Sequence, residues 1–199
     1  MTHLIENILE NKIVKIKLLR YVDVDLESID NRIFNDIEFQ EFNSFKSEKR
    51  KYEFYFTRIL WQSFGQNEII KYKSTGKPKI DGGYISISHS HNQVAIAFSS
   101  IQEVGLDLEM VSKKVEIIKL KYLHANEKYA SLKDLTIIWT IKEAIYKLFD
   151  FETLFFKEHI EVCSLNGKCI VNVDFKGEIQ RPFVETISIE DNFILSYAY

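Results

Sequence analysis

The stretch from residue 84 to 110, "YISISHSHNQVAIAFSSIQEVGLDLEM", constrains the fold more than any other part of the chain. It reads as three short strands, at about 84–88, 93–99 and 104–110, with only "HSHN" and "SIQE" between them. Four of the seven glycines (Gly76, Gly82, Gly83, Gly105) lie in or just before it, where a backbone must turn tightly or approach something closely. The last strand carries "GLDLE". Strand side chains alternate, so Asp107 and Glu109 share one face and Leu106 and Leu108 take the other. Like charges that close repel each other unless a cation lies between them or water screens them. Hard oxygen ligands suit Mg²⁺, whereas the plain alternative is a sheet edge with solvated acids, the better reading of an isolated D-x-E.

The remaining segments set the fold class. "KIVKIKLLRYV" (12–22) reads as a strand with one wet face, and 24–44 as turns with a short helix. "SEKRKYEFYFTRILWQSFG" (47–65) is the first clear helix, with Ser47 as N-cap and Gly65 at the C′ position. Its Tyr52, Phe56, Ile59 and Leu60 recur at helical spacing. "STGKPKIDGG" (74–83) is a loop, and 115–131 is helical in pieces. "DLTIIWTIKEAIYKLF" (134–149) is the second strong helix, its buried stripe being Ile137, Ile138, Ile141, Ile145 and Leu148. Then come "IEVCS" (160–164) and "KCIVNVDF" (168–175) around an Asn166-Gly167 hairpin turn, and two further strands in "RPFVETISI" and "NFILSYAY". The order is that of an α+β protein with two halves of similar size, 1–103 and 104–199, joined near 100–112.

Composition narrows the function classes. Of the 199 residues 46% are hydrophobic and 28% charged, enough for one large domain or two small ones, and 14% aromatics argue against disorder. A net charge of -3 does not mark a nucleic-acid binder. No apolar run approaches the roughly 18 residues of a membrane helix. The first residues carry acids and no uninterrupted apolar region, which argues against a secretory signal. Cys163 and Cys169 form no C-x-x-C pair; reduced thiols in the cytoplasm are the default, and a cross-strand disulfide is the alternative.

Three more clusters carry potential chemistry. In "WTIKEAIYK" (139–147), Glu143 and Lys147 are i,i+4 and share a helix face, Trp139 lies one turn before Glu143, and Lys142 is turned about 100° away. They could form a base and a phosphate clamp, although Glu before Lys at this spacing is also the ordinary surface ion pair. In "ISISHSHN" (85–92), Ser88, His89 and Ser90 end a strand at a turn and could bind phosphate oxygens, or simply make the turn. His89 and His91 are i,i+2, a spacing found at metal sites. In "GKP", Lys77 is fixed between a permissive glycine and a rigid proline, and "EKRK" (48–51) puts cations, Arg50 and Lys51 among them, at a helix N-terminus, where only an anion would offset them.

Taken in order, "GKP", "ISHS", "GLDLE" and "WTIKEAIYK" resemble the motif series of the 4′-phosphopantetheinyl transferases, in the single-chain form typified by surfactin synthetase activators. The motifs span about residues 45–150. The family pattern G-(I/V)-D-(I/V)-E is matched by Gly105 to Glu109. W-(S/T)-x-K-E-A-x-x-K is matched at Trp139, Thr140, Lys142, Glu143, Ala144 and Lys147. After Lys147 the chain departs from the family's glycine-containing turn, with "LFDFETLFFKEH" instead.

The resemblance implies two similar α+β halves related by pseudo-twofold symmetry, with an active site in the cleft between them and no need to oligomerise. It implies that coenzyme A donates its phosphopantetheine arm to a serine of an apo acyl or peptidyl carrier protein, leaving adenosine 3′,5′-bisphosphate. Asp107, Glu109 and Glu143 would hold Mg²⁺ against the coenzyme A diphosphate. Glu143 would be the base, Lys147 would stabilise the leaving phosphate, and Lys77, Ser88, His89, Ser90, Lys142 and Arg50 would grip the phosphates. Two other readings compete: a metal-dependent hydrolase using His89, His91, Asp107 and Glu109, and a non-catalytic module that binds carrier proteins.

Overall fold

The structure, a computed structural model, describes residues 3–22, 24–150, 153–165, 169–190 and 192–199. Its elements run β1 (His3–Glu10), β2 (Lys15–Tyr21), a single 3-10 turn (Asn31–Ile33), α1 (Asp36–Ser44), α2 (Glu48–Gln62), β3 (Lys71–Tyr72), β4 (Pro78–Lys79), β5 (Tyr84–Ser90), β6 (Gln93–Ser99) and β7 (Gly105–Met110). They continue with α3 (Lys113–Tyr122), α4 (Leu132–Phe149), α5 (Phe156–His159), β8 (Ile160–Ser164), β9 (Ile170–Phe175), β10 (Glu178–Gln180), β11 (Val184–Ile189) and β12 (Phe193–Ala198). The class is mixed α+β. No described helix is long and apolar enough to cross a membrane.

The three strands expected between 84 and 110 are present, as are both long helices. Ser47 caps α2 through its side chain. Gly65 takes the left-handed conformation (φ 75°) two residues beyond the Ser63 cap, one position later than the C′ expected. Strand β1 goes beyond the sequence reading. Its exposure pattern lacks clean alternation, and its pairing with β2 slips between Asn7 and Leu9. The β8–β9 pair forms as expected, while Asn166 and Gly167 lie outside the described residues. Both cysteines are free.

A four-stranded sheet, ordered β1-β2-β6-β5, is built before residue 100, and a three-stranded sheet, β11-β12-β7, after residue 104. A third sheet, β10-β9-β8, lies beyond α4 in sequence. Period-2 alternation splits each sheet's apolar side chains between two layers. Leu19, Val94 and Ile96 pack under Phe56, Leu60 and Trp61 of α2. Ile16, Leu18, Ala95 and Ala97 pack instead against Leu106, Leu108, Leu195 and Tyr197 of the second sheet, so the two halves share a core. Helix α4 covers the other side of β7 and β12, with Leu135, Ile138, Ile141, Ala144 and Ile145 fully enclosed.

The sheets meet where β5 and β7 run side by side in the same direction. No backbone ladder joins them. The Ser86 hydroxyl accepts from the Leu106 amide (2.9 Å) and the Ser88 hydroxyl from the Leu108 amide (3.2 Å), so side chains satisfy the amides that a ladder would otherwise pair. The period-2 serines of "ISISHS" therefore face the neighbouring strand, and His89 faces the other way, toward α2.

Candidate functional site

The site forms along this seam, beneath α4. Gly105 brings helix and strand together: a Cβ there would lie 1.9 Å from the Ala144 carbonyl oxygen and 2.7 Å from the Leu148 nitrogen. With the backbones this close, the next residues of β7 that face α4 are within reach of its side chains. As alternation requires, Leu106 and Leu108 enter the shared core and the two acids turn toward the helix.

Asp107 is 5% exposed. Its Oδ1 accepts from the Ser88 hydroxyl (2.8 Å) and from the Lys147 ammonium (2.7 Å). Its Oδ2 is buried with no hydrogen-bond partner. Glu109 accepts from Trp139 Nε1 (3.3 Å), Lys114 Nζ (3.4 Å) and the Ser90 hydroxyl (3.4 Å). Glu143 is close enough to Asp107, Lys147 and Glu109 to feel their charges. Burial, then the Asp107 charge, pushes its carboxyl up to about 7, with Glu109 adding to the effect and Lys147 opposing it.

Of the three acids expected to share a cation, Asp107 and Glu109 lie along β7 and Glu143 on α4 is electrostatically coupled to both. Among the described residues, however, no three His, Cys, Asp or Glu groups make a ready-made metal cluster. The reason is visible in their partners: Lys147 and Ser88 hold Asp107, and Trp139 and Lys114 draw Glu109 aside. The donor set still fits a hard divalent cation, because a buried carboxylate oxygen of Asp107 lacks a partner and the neighbouring Glu143 carboxyl is held up first by burial and then by the Asp107 charge.

Lys147 spans the seam, donating to Leu106 O (2.9 Å) and Ile87 O (3.5 Å) as well as to Asp107. Beside it lies a cavity of about 170 Å³, lined by Lys77, Ser86, Ile87 and Tyr146 among others. A larger cavity of about 790 Å³ shares Lys77 and Asp150 with it. Lys77 Nζ donates to Leu148 O (3.0 Å) at the end of α4 and pairs with Glu103 (2.9 Å), so it places a cation at a helix C-terminus. Asp150, left-handed at φ 52°, closes α4, and its carboxylate is held by Lys73 and Thr75.

On the opposite face of β5, His89 Nε2 lies 2.8 Å from Thr57 Oγ1. The threonine hydroxyl donates to Glu53 O (2.5 Å), so it accepts from the imidazole, which is then the Nε2–H tautomer. Burial pushes this histidine down to about 3, with Arg50, Lys147 and Lys49 adding to the effect. The basic start of α2 is thus electrostatically coupled to His89. Arg50 itself is half exposed and pairs with Glu53 (3.4 Å). Thr57 had no signal in the sequence, because it lies next to Phe56 on the core stripe.

Three expectations need correction. Ser88 and Ser90 were expected to grip phosphate, but both are buried and their hydroxyls bond Asp107, Leu108 and Glu109 within the chain. Lys142 does not flank a ligand. Its side chain is fully enclosed, donating to Glu127 (2.9 Å), Tyr122 O (2.7 Å), Ile160 O (2.7 Å) and Phe156 O (3.2 Å). Glu127 in turn accepts from the amides of His124 and Val162, both at 2.7 Å. The pair therefore ties α4 to the segments after α3 and around α5. Lys142→Ala is expected to cost about 3–5 kcal/mol in urea denaturation, because it leaves a buried carboxylate uncompensated. A loss below about 1 kcal/mol would show that solvent reaches the pair.

His89, His91, Asp107 and Glu109 are not gathered at one point. His91 sits in the β5–β6 turn, edge-on to Phe193, and His89 faces Thr57. The chain matches no protein-family model and no curated protein.

Proposed function

We propose that this chain transfers the 4′-phosphopantetheine arm of coenzyme A to a serine of an apo acyl or peptidyl carrier protein and releases adenosine 3′,5′-bisphosphate. The observation that carries the reading is the coupling of acids at the seam: Asp107, with an unpartnered buried oxygen and Lys147 on its other oxygen, adds to the burial that pushes the Glu143 carboxyl up to about 7. The two sheets, each covered by one long helix, are also consistent with the family's two similar halves.

Asp107, Glu109 and Glu143 would hold Mg²⁺, which would supply charge neutralisation for a diphosphate. Glu143 takes the proton of the attacking serine. The serine oxygen bonds to the phosphorus that bears the pantetheine arm, and the bond from that phosphorus to the bridging oxygen breaks. Lys147 stabilises the departing phosphate, and Arg50, His89 and Lys77 supply further positive or polar contacts for the donor. Helix α3 presents Ile117 and Leu120 to solvent, 81% and 79% exposed, among Lys113, Lys114 and Lys121. Such a face suits an acidic partner with an apolar stripe, and we place the carrier there. Carriers of fatty-acid, polyketide and nonribosomal-peptide synthesis all fit this chemistry. A non-catalytic carrier-binding module would have no use for a buried carboxylate oxygen without a partner.

Intact-protein mass spectrometry tests the proposal. Apo carriers of the three types, incubated with coenzyme A, Mg²⁺ and this protein, should include at least one that gains a single phosphopantetheine. Asp107→Asn should slow that gain by about 10³-fold. No gain on any carrier, together with no binding of coenzyme A, would overturn the reading.

A further inference from the structure

The ammonium of Lys147 has three protons and three acceptors: Asp107 Oδ1 at 2.7 Å, Leu106 O at 2.9 Å and Ile87 O at 3.5 Å. It serves the seam and the carboxylate together. Asp107 is almost wholly buried, whereas the Lys147 side chain remains 28% exposed, so of the two partners only the lysine has an open route away. From this geometry we propose that Lys147 is a tethered counter-ion for Asp107, which disfavours a divalent cation at this carboxylate until an anion draws the ammonium off.

The argument is electrostatic and rests on the transferase reading for the identity of that anion. A second cation approaching Asp107 meets the lysine charge only a few ångströms away, in a partly buried place where screening is weak. A diphosphate removes the conflict, because it offers the ammonium new acceptors and adds negative charge for both cations. Metal and coenzyme A should therefore bind as a pair. Asp107, neutralised by a residue of the chain itself, needs no free divalent ion in the folded state.

Binding of Mn²⁺, followed by electron paramagnetic resonance, tests this without any turnover. Without coenzyme A, wild-type protein should bind Mn²⁺ weakly, Lys147→Met at least tenfold more tightly, and Lys147→Arg like wild type. Adding coenzyme A should tighten wild-type binding at least tenfold and Lys147→Met much less. Lys147→Gln provides a second uncharged variant, and its Tm should rise more on adding Mn²⁺ than that of wild type. Suppose Lys147→Met and Lys147→Gln bind Mn²⁺ no better than wild type, yet Asp107→Asn weakens the coenzyme-dependent binding. The counter-ion role is then wrong and the metal site stands. If Mn²⁺ binds neither wild type with coenzyme A nor either uncharged variant, the metal site and the counter-ion role both fall.

Discussion

Glu143→Gln is expected to slow transfer by about 10³-fold and, at the same time, to stabilise the chelator-treated protein above neutral pH. The sign follows from the direction of the shift. Glu143 titrates near 7 in the folded chain against 4.5 for the free side chain, because burial and Asp107 disfavour its charge. Between those values the folded state holds a proton that the unfolded state has released, so stability falls as pH rises through that window, and the loss is complete above about 7. Below about pH 4.5 both states are protonated and the residue contributes no such difference.

Wild type should therefore lose on the order of 2 kcal/mol relative to Glu143→Gln between pH 5 and pH 8. Urea denaturation at both values measures it. Coenzyme A with Mg²⁺ should close most of the gap for wild type and little of it for the variant. In the transfer assay the same variant should lose about 10³-fold in rate, the cost of removing a positioned base. Equal pH dependence of the two proteins would mean that the carboxyl is solvated and unfit for the role.

The second large effect concerns Gly105. Any side chain there meets the Ala144 carbonyl oxygen and the Leu148 nitrogen, backbone atoms that cannot step aside. Gly105→Ala should cost about 3 kcal/mol or more, since relief requires α4 to lift from β7. In whatever fraction still folds, the acids of β7 and Glu143 of α4 are pushed apart, so coenzyme-dependent Mn²⁺ binding should be lost as well. A variant within about 1 kcal/mol of wild type that still binds Mn²⁺ would show that the helix does not lie this close.

Much of this was legible in the sequence, and the reasons are local. Strands β5, β6 and β7 and helices α2 and α4 declare themselves by periodicity, and the opposed faces of Leu106/Leu108 and Asp107/Glu109 follow from the pleat alone. Trp139, read as lying on the Glu143 side of its helix, does reach Glu109. Lys142 was misplaced although its address was readable: it lies four residues after Ile138 and three before Ile145, on the apolar stripe itself. A lysine on such a stripe is buried and paired. Its partner Glu127 was not readable, because a loop acid 15 residues away gives no periodic signal. The seam was hidden for a similar reason. Alternating serines can end a strand in solvent as easily as they can bond a neighbour, and only the tertiary approach of β7 decides between the two.

Because hydroxyls rather than a ladder join β5 to β7, the strand-to-strand bonding at this seam depends on three small side chains. Mutation can alter Ser86, Ser88 or Ser90 one at a time while both sheets keep their own pairing. The spacing of β5 from β7 is thus a heritable setting, adjustable by single codon changes without rebuilding either half.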